Sequence, residues 1–189
     1  YFNTLKFARK FQTLYPKNEN IAYIDFLIAM TFYEQVQIVA RDQTYTKAAL
    51  KEFKNIIGKY PNSKYAKESK LKIDLIDEQL AGKHMYLARF YMKKSKWISA
   101  IRRLNIILED YPETIYTIET LHRLVEIYYK LGNISLAKKY AATLGYNFND
   151  SDWYKKTYKV VVDQNYESDT KKTKIKLRDK IKNIFKLSK

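Results

Sequence analysis

Residues that could carry out catalysis or bind a metal are few in this chain. The two histidines, His84 and His122, lie far apart in the sequence, and neither has a partner at the spacing of a metal site or a catalytic triad. There is no cysteine, which excludes a thiolate nucleophile, a cysteine–zinc site and a disulfide within this stretch. Phosphate-binding glycine loops, nucleophile elbows and HExxH motifs are also missing. The sequence therefore predicts a protein that is not an enzyme and uses no metal or cofactor, with both histidines in packing or surface roles.

Three carboxylates stand close together in the middle of the chain, at Asp74, Asp77 and Glu78. On a helix they fall on successive turns, with Lys70 and Lys72 nearby. Opposite charges at this spacing form ion pairs on helix surfaces. We therefore interpret the group as a solvated, ion-paired face and not as a pair of catalytic acids.

The charge of the chain is strongly positive, and half of the excess lies near one end. Lys and Arg outnumber Asp and Glu by 36 to 20, a formal charge of +16, which favours contact with anionic partners. Residues 155–189 hold twelve of these cations and only four acids. Within 171–189, an apolar stripe has the i, i+4, i+7, i+8 spacing of one helix face. Its members are Leu177, Ile181, Ile184 and Phe185.

A basic amphipathic helix of this kind is consistent with three roles. It can dock on a partner protein, lie solvated at the periphery, or contact anionic lipid. Nucleic acid is not expected as a partner, because no aromatic-interleaved platform or groove-reading motif accompanies the charge.

The chain has four glycines and three prolines in 189 residues, too few for frequent tight turns. This scarcity favours long helices, so an all-α fold is predicted. No uncharged apolar run reaches 18 residues, and Tyr1 begins an amphipathic segment. The stretch is therefore expected to contain neither a membrane span nor a signal peptide.

The dipeptide Tyr-Pro recurs at 15–16, 60–61 and 111–112, and the residues upstream of it repeat as well. Before Pro112, small, aromatic and large apolar residues fall 24, 21, 15, 12, 8 and 5 positions upstream. These residues are Ala88, Tyr91, Trp97, Ala100, Leu104 and Ile107. Their spacing is that of the tetratricopeptide repeat, in which two antiparallel helices approach closely at small residues. We therefore predict a tetratricopeptide-repeat-like, right-handed superhelical array of antiparallel helix hairpins.

The same pattern fits other parts of the chain, with departures from a uniform period. Before Pro61 it matches Ala29 and Phe32 on a first helix and Ala49, Phe53 and Ile56 on a second. An insertion within 37–47 enlarges the turn between those two helices. The 27-residue spacing from Pro61 to Ala88 predicts one or two stacked helices, bent near Gly82. Before Pro16 only a second helix fits, so the first repeat is expected to be incomplete.

Helix starts and the end of the array are predicted from individual side chains. Residues suited to capping the next helix stand two positions after each proline: Asn18, Ser63 and Thr114. Ser151 or Asp152 would cap a closing helix. Its apolar face would hold Tyr154, Tyr158, Val161 and Val162. The array is thus assigned to residues 1–163, and a basic C-terminal extension to 164–189.

Two adjacent arginines, Arg102 and Arg103, fall on the second helix of the repeat that ends at Pro112. First helices line the inner surface of such an array, where extended or helical peptides bind. The two arginines are therefore expected to face a lateral partner, and the alternative is that they are simply solvated.

The stretch "ARDQTYTKAALKEFKNIIGKYPNSKYAKESKLKIDLIDEQLAGKHMYLARFYMKKSKWISAIRRLNIILEDYPETIYTIETLHRLVEIYYKLG", followed by "LGYNFNDSDWYK", resembles the BamD family of outer-membrane protein assembly factors. The resemblance covers about residues 1–160. It is specific because it includes the insertion with Arg41-Asp42-Gln43, the long spacer after Pro61 and the closing "SDWY".

The resemblance implies a function for the chain. Members are lipoproteins on the periplasmic face of the outer membrane, tethered by an N-terminal lipidated cysteine. They are non-catalytic scaffolds that bind the periplasmic domains of BamA, other BAM subunits, and the C-terminal signals of unfolded outer-membrane proteins. Client recognition is placed in the N-terminal repeats, and Arg103 matches an arginine of the family's BamA-facing helix.

Some family features fall outside the resemblance. The signal peptide, the lipid-acceptor cysteine and roughly the first repeat and a half are not expected within this stretch. The Lys-rich segment beyond about residue 165 matches no family motif.

Two other functions are compatible with the residues themselves. One is a different tetratricopeptide-repeat adaptor that binds peptide termini. The other is an anion-binding module driven by residues 171–189, for lipid or nucleic acid.

Overall fold

The computed structural model describes residues 1–36 and 44–162, and everything regular in these two ranges is helical. Eight helices and no strand occur there, as the scarcity of glycine and proline predicted. They are α1 (Phe2–Leu14), α2 (Ile21–Tyr33), α3 (Thr44–Lys59), α4 (Lys64–Lys93), α5 (Trp97–Asp110), α6 (Tyr116–Lys130), α7 (Ile134–Asn147) and α8 (Asp152–Val162). The predicted tail stripe of Leu177, Ile181, Ile184 and Phe185 lies outside the described residues, as does most of the insertion within 37–47.

The chain divides into two compact units, Tyr1–His84 and Met85–Lys189. The boundary falls inside α4, a single helix of 30 residues. The sequence predicted one or two helices in the long spacer after Pro61, and the structure has one continuous helix there. The right-handed superhelical path and the division at residues 163 and 164 stay predictions.

The core of the first unit forms where α2 packs against α1 and α3. Ala29 of α2 and Ala49 of α3 are both fully buried, which confirms the small-residue positions of the repeat pattern. Phe53 is also fully buried, and its ring contacts Phe26 and Tyr33, with centroids 6.1 Å away in both cases. Removing one such side chain from water contributes about 1.5–3 kcal/mol to folding.

The core of the second unit is centred on α6, which packs against α5, α7 and α8. The repeat positions Ala88, Ala100, Leu104 and Ile107 have no exposed surface, and neither has Ala137 of α7. Tyr128 of α6 and Tyr140 of α7 stack in parallel at 5.7 Å between centroids. The small and aliphatic positions of the predicted repeat are thus confirmed, whereas the aromatic positions Tyr91 and Trp97 are only half-buried.

Two of the predicted helix caps are present. The Ser63 side chain accepts a hydrogen bond from the Ala66 N–H at 3.1 Å, and Ser151 accepts one from the Tyr154 N–H at 3.1 Å. Each satisfies a backbone donor in the first turn of α4 or α8, which the helix itself leaves unpaired.

The other two predicted caps were wrong. The Asn18 side chain accepts from the Asn20 N–H at 2.9 Å, in the loop before α2. The Thr114 hydroxyl donates backwards to the Tyr111 carbonyl at 2.9 Å. The reason is that α2 begins only at Ile21 and α6 only at Tyr116, so neither side chain reaches the first turn.

The apolar face predicted for the closing helix was partly wrong. Tyr158 is 57% exposed, whereas Thr157 is buried because it pairs with His122 of α6. Tyr154 lies close to α7, where a Cβ added to Gly145 would stand 2.9 Å from its ring. The glycine therefore lets α8 approach α7 closely.

Two helix–helix turns share one backbone arrangement. After α4, the Ser95 N–H donates to Met92 and the Lys96 N–H to Tyr91, both at 2.9 Å. After α6, Gly132 and the residue that follows it make the equivalent bonds. Ser95 has φ 56° and Gly132 has φ 77°, so both occupy the left-handed region that ends a helix in this motif.

This difference between serine and glycine predicts opposite effects of substitution. Gly132→Ala should lower the free energy of unfolding by about 1 kcal/mol, because an L-residue is strained at this φ. Ser95→Gly should raise it by about 0.5–1 kcal/mol for the same reason. Urea denaturation followed by circular dichroism measures both changes.

Gly58→Ala provides the control, since Gly58 lies in α3 and a Cβ there would meet nothing within 4 Å. We expect that variant to be no less stable than the wild type. A Gly132→Ala variant that behaves like Gly58→Ala would contradict the assignment.

Candidate functional site

A buried carboxylate in the second unit organises the surface formed by α4 and α6. Glu119 of α6 has only 6% of its side chain exposed. It accepts hydrogen bonds from Arg89 Nε of α4 at 3.0 Å and from Arg123 Nε at 3.1 Å, and Arg89 Nη2 contacts its second oxygen. Arg123 also donates to Glu126 at 2.8 Å. The position of both guanidinium groups is thus set by Glu119.

The charges in this cluster stabilise one another. Burial raises the pKa of Glu119, but the hydrogen bonds from Arg89 and Arg123 outweigh it, so the pKa lies below its ordinary value. The hydrogen bond to Glu119 raises the pKa of Arg89. Glu119 is therefore held as an anion at neutral pH.

A groove lies beside the cluster, with a volume of about 500 Å³. It is lined by Tyr86, Arg89, Phe90, Met92, Lys93 and Arg123, and we call it the α4–α6 groove. Tyr86 is 70% exposed and Phe90 is 48% exposed, although both are aromatic. The groove thus combines apolar surface with a cationic rim.

His122 lies in a packed environment next to α8, as its isolation in the sequence predicted. It is buried, its Nδ1 is 2.7 Å from the Thr157 hydroxyl, and its ring is 5.0 Å from that of Trp153. Burial lowers the pKa of His122, and Glu126 offsets this only in part. The imidazole is therefore neutral at pH 7 and fills a structural role.

The outer side of Trp153 carries two cations. Lys156 Nζ stands 4.1 Å from the ring centroid and the Arg123 guanidinium carbon 5.2 Å from it. Such contacts favour a fixed orientation of the ring and the cations. They connect α8 to the same arginine that pairs with Glu119.

In the first unit, a buried carboxylate holds one of the recurring Tyr-Pro tyrosines. The Tyr60 hydroxyl donates to Asp25 Oδ2 at 2.9 Å, Gln12 also contacts Asp25, and Lys59 Nζ lies 3.7 Å from it. Burial and the bond to Asp25 raise the pKa of Tyr60 to about 12. Repeat spacing did not reveal this cluster, although a single acid within the apolar run "IAYIDFLIAM" was a signal for it.

The carboxylates at Asp74, Asp77 and Glu78 are less uniform than predicted. Burial raises the pKa of Asp77, with Lys54 acting against it. Lys72 lies over the Tyr33 ring at 5.0 Å.

Throughout the described ranges, no group of three His, Asp or Glu side chains is arranged to hold a metal ion. None of the described helices has the length and hydrophobicity needed to cross a bilayer.

The two arginines singled out from the sequence lie on α5. Arg102 is exposed and Arg103 is half-buried, and neither lines the α4–α6 groove. Ile98, one turn before Arg102, is 61% exposed, which the repeat pattern did not indicate. We call Ile98, Arg102 and Arg103 the α5 surface. A binding role for it stays a prediction.

Helix pairs that meet at buried alanines, beside a groove that is aromatic and cationic, are typical of helical-repeat binding proteins. Comparison with known families is more specific: the YfiO family, described as outer membrane lipoprotein, matches residues 1–144. The chain belongs to this family, as the resemblance to BamD proteins implied. Its location is the periplasmic face of the outer membrane.

Curated relatives carry the name outer membrane protein assembly factor BamD. The Rickettsia prowazekii protein is 40% identical over 168 residues, which are 89% of this chain and 66% of the relative. The Caulobacter vibrioides protein is 40% identical over 156 residues, 82% of this chain and 51% of the relative. A Pasteurella multocida protein is 29% identical, covering 78% of this chain and 60% of its own length. The chain thus spans half to two thirds of the length of these relatives.

Replacing the buried carboxylate tests whether it holds the α4–α6 surface together. Glu119→Gln should lower the free energy of unfolding at pH 7 by about 1–3 kcal/mol, because two arginines then lose their charged acceptor. Since the pKa of Glu119 is lower in the folded state, its stabilising effect is complete above the ordinary value of 4.5 and is lost as the pH falls through the folded value.

The free energies of unfolding of wild type and variant should therefore differ at pH 7 and converge only below pH 4.5. Glu113→Gln, at an exposed position, is the matched control and should leave stability unchanged. A difference that stays constant down to pH 3 would refute the ion-pair explanation.

Proposed function

We propose that this chain is a non-catalytic scaffold subunit of the outer-membrane β-barrel assembly machinery. It binds the periplasmic domains of BamA, together with other subunits, and the C-terminal signals of unfolded outer-membrane proteins. The observation that carries this proposal is the 40% identity, over 89% of the chain, to a protein named an outer membrane protein assembly factor.

The surroundings of the titratable groups support a binding role over catalysis. Glu119 is neutralised by two arginines, and His122 is buried and neutral. A general acid or base needs access to substrate and a pKa near the working pH. These two groups hold helices together instead.

The α5 surface is the proposed contact for BamA. It places exposed Ile98 beside exposed Arg102, with Arg103 at the edge. Apolar contact gives such an interface its affinity, and arginine gives it directional pairing with carboxylates. The matching partner surface is therefore apolar with acidic residues around it.

The proposed mechanism is mass-action binding of two ligands by one chain. One surface holds BamA and another holds the client, which raises their local concentration relative to each other. No covalent step is required, because the chain only has to bind both ligands at the same time. The increase in local concentration is lost if the chain cannot bind both ligands at the same time.

Charge reversal on α5 tests the BamA contact. Arg103→Glu should weaken binding of the purified chain to BamA's periplasmic domains by about tenfold or more, because a pairing cation becomes a repelling anion. Affinity is measured by biolayer interferometry, and circular dichroism verifies that helicity is unchanged.

Lys138→Glu, exposed on α7, makes the same charge change away from the α5 surface and should bind like the wild type. Equal binding by Arg103→Glu and Lys138→Glu would remove Arg103 from the interface. If the wild-type chain does not bind BamA's domains at all, the scaffold proposal fails.

A further inference from the structure

We propose that the packing of α8 on α6 is pH-sensitive, and that protonation of His122 under acidic conditions releases α8 from α6. Release of α8 also exposes the apolar side chains of α6 and α7 that it covers. This behaviour is independent of the proposed function, because it needs only the contacts of α8 with α6 and α7.

His122 lies where α6 and α8 meet, out of contact with water. It is 3% exposed, and Thr157, its partner on α8, is 1% exposed. His122 Nδ1 is 2.7 Å from the Thr157 hydroxyl oxygen. The ring of Trp153, one turn earlier on α8, lies over the imidazole with 5.0 Å between centroids. Two side chains of α8 thus cover the imidazole, and its hydration requires α8 to move away.

The contact suits a neutral imidazole and offers little to a charged one. Glu126 Oε1 is 3.6 Å from His122 Nε2, which is too far for a hydrogen bond. The second oxygen of Glu126 accepts a hydrogen bond from Arg123 at 2.8 Å. Burial beside so distant a carboxylate disfavours the charged form and lowers the pKa of His122. Protonation therefore costs free energy as long as α8 is in place.

The charged groups around the imidazole do not offset its burial. Glu119 and Glu126 of α6 favour the imidazolium. Arg123 of α6 and Lys156 of α8 disfavour it. Both cations are held nearby by Trp153, with Lys156 Nζ 4.1 Å and the Arg123 guanidinium carbon 5.2 Å from the ring centroid. Two acids are thus matched by two cations, and no excess of negative charge remains to stabilise a proton on the imidazole.

The α8 helix depends on its contacts and can open locally. It has 11 residues, fewer than an isolated helix needs to be stable in water. Its Val160 and Val161 pack against the buried cluster of Val125, Tyr129 and Ala137. By contrast, α6 packs against α5, α7 and α8. Release of α8 should therefore require less free energy than unfolding of α6, and it exposes this apolar cluster.

Acidification favours the released form because that form binds the proton more tightly. Once α8 has left, the imidazole is hydrated and its pKa returns towards the ordinary value of 6.5, whereas the pKa is lower in the packed form. As the pH falls below 6.5, the equilibrium between the released and packed forms shifts towards release by up to about tenfold per pH unit, until the pH reaches the pKa of the packed form. At pH 7 the packed form is favoured.

Hydrogen–deuterium exchange of the whole 189-residue chain at pH 7 and pH 5 tests the proposal, after correction for the pH dependence of the chemical exchange rate. Protection of the amides in the middle of α8 should fall by about tenfold or more. At each pH these amides should be less protected than those of α6, because α8 opens locally. Equal protection of α8 and α6, or protection of α8 that does not change with pH, would overturn the proposal.

Substitution identifies the responsible imidazole, since the chain has two histidines. His122→Gln keeps a polar side chain that cannot be protonated, so the loss of α8 protection between pH 7 and pH 5 should disappear. His84→Gln is the matched control on α4 and should retain the pH dependence of the wild type. A pH dependence that survives His122→Gln, or that disappears in His84→Gln, would refute the role of His122.

Nuclear magnetic resonance of the two imidazole rings provides a second measurement that needs no folded His122→Gln variant. In the wild type, the ring resonances of His122 should titrate with a midpoint below 6.5, over the same pH range in which α8 loses protection. The spectrum of His84→Gln assigns the resonances. A midpoint at or above 6.5 would contradict the proposal, because the packed form would then bind the proton at least as tightly as the released form.

Discussion

Close packing of helices at alanines is the constraint on which the rest of the structure depends. Ala29, Ala49, Ala88, Ala100 and Ala137 have no exposed surface, so neighbouring helices meet where their side chains are smallest. Larger residues such as Phe53 then fill the space between these contacts. Any larger residue at an alanine position would separate the helices, because interiors are packed too densely to absorb it.

The same close approach gives the polar clusters their geometry. In the second unit Glu119 receives arginines from α4 and α6, and in the first Asp25 receives the hydroxyl of Tyr60. A buried carboxylate is costly unless it is fully paired, so each cluster favours one alignment of its helices. In the second unit, Arg89 is therefore held in place by its contacts with Glu119.

The repeat spacing was sufficient to predict the helical class and the buried alanines, since both follow from local periodicity. The sequence did not predict the partners of Glu119 or Asp25, because these depend on which turns of separate helices lie opposite each other. The apolar face predicted for α8 was also partly wrong, because Thr157 is buried by its bond to His122 and Tyr158 is exposed. The repeat pattern is defined by apolar residues, so it does not predict the burial of a polar residue that pairs with a specific partner.

The central claim is that the proposed α5 surface holds BamA's periplasmic domains, and hydrogen–deuterium exchange of the whole chain tests it directly. Binding of these domains should slow exchange in α5, Trp97–Asp110. Unchanged exchange in α5 while the domains are bound would contradict the claim.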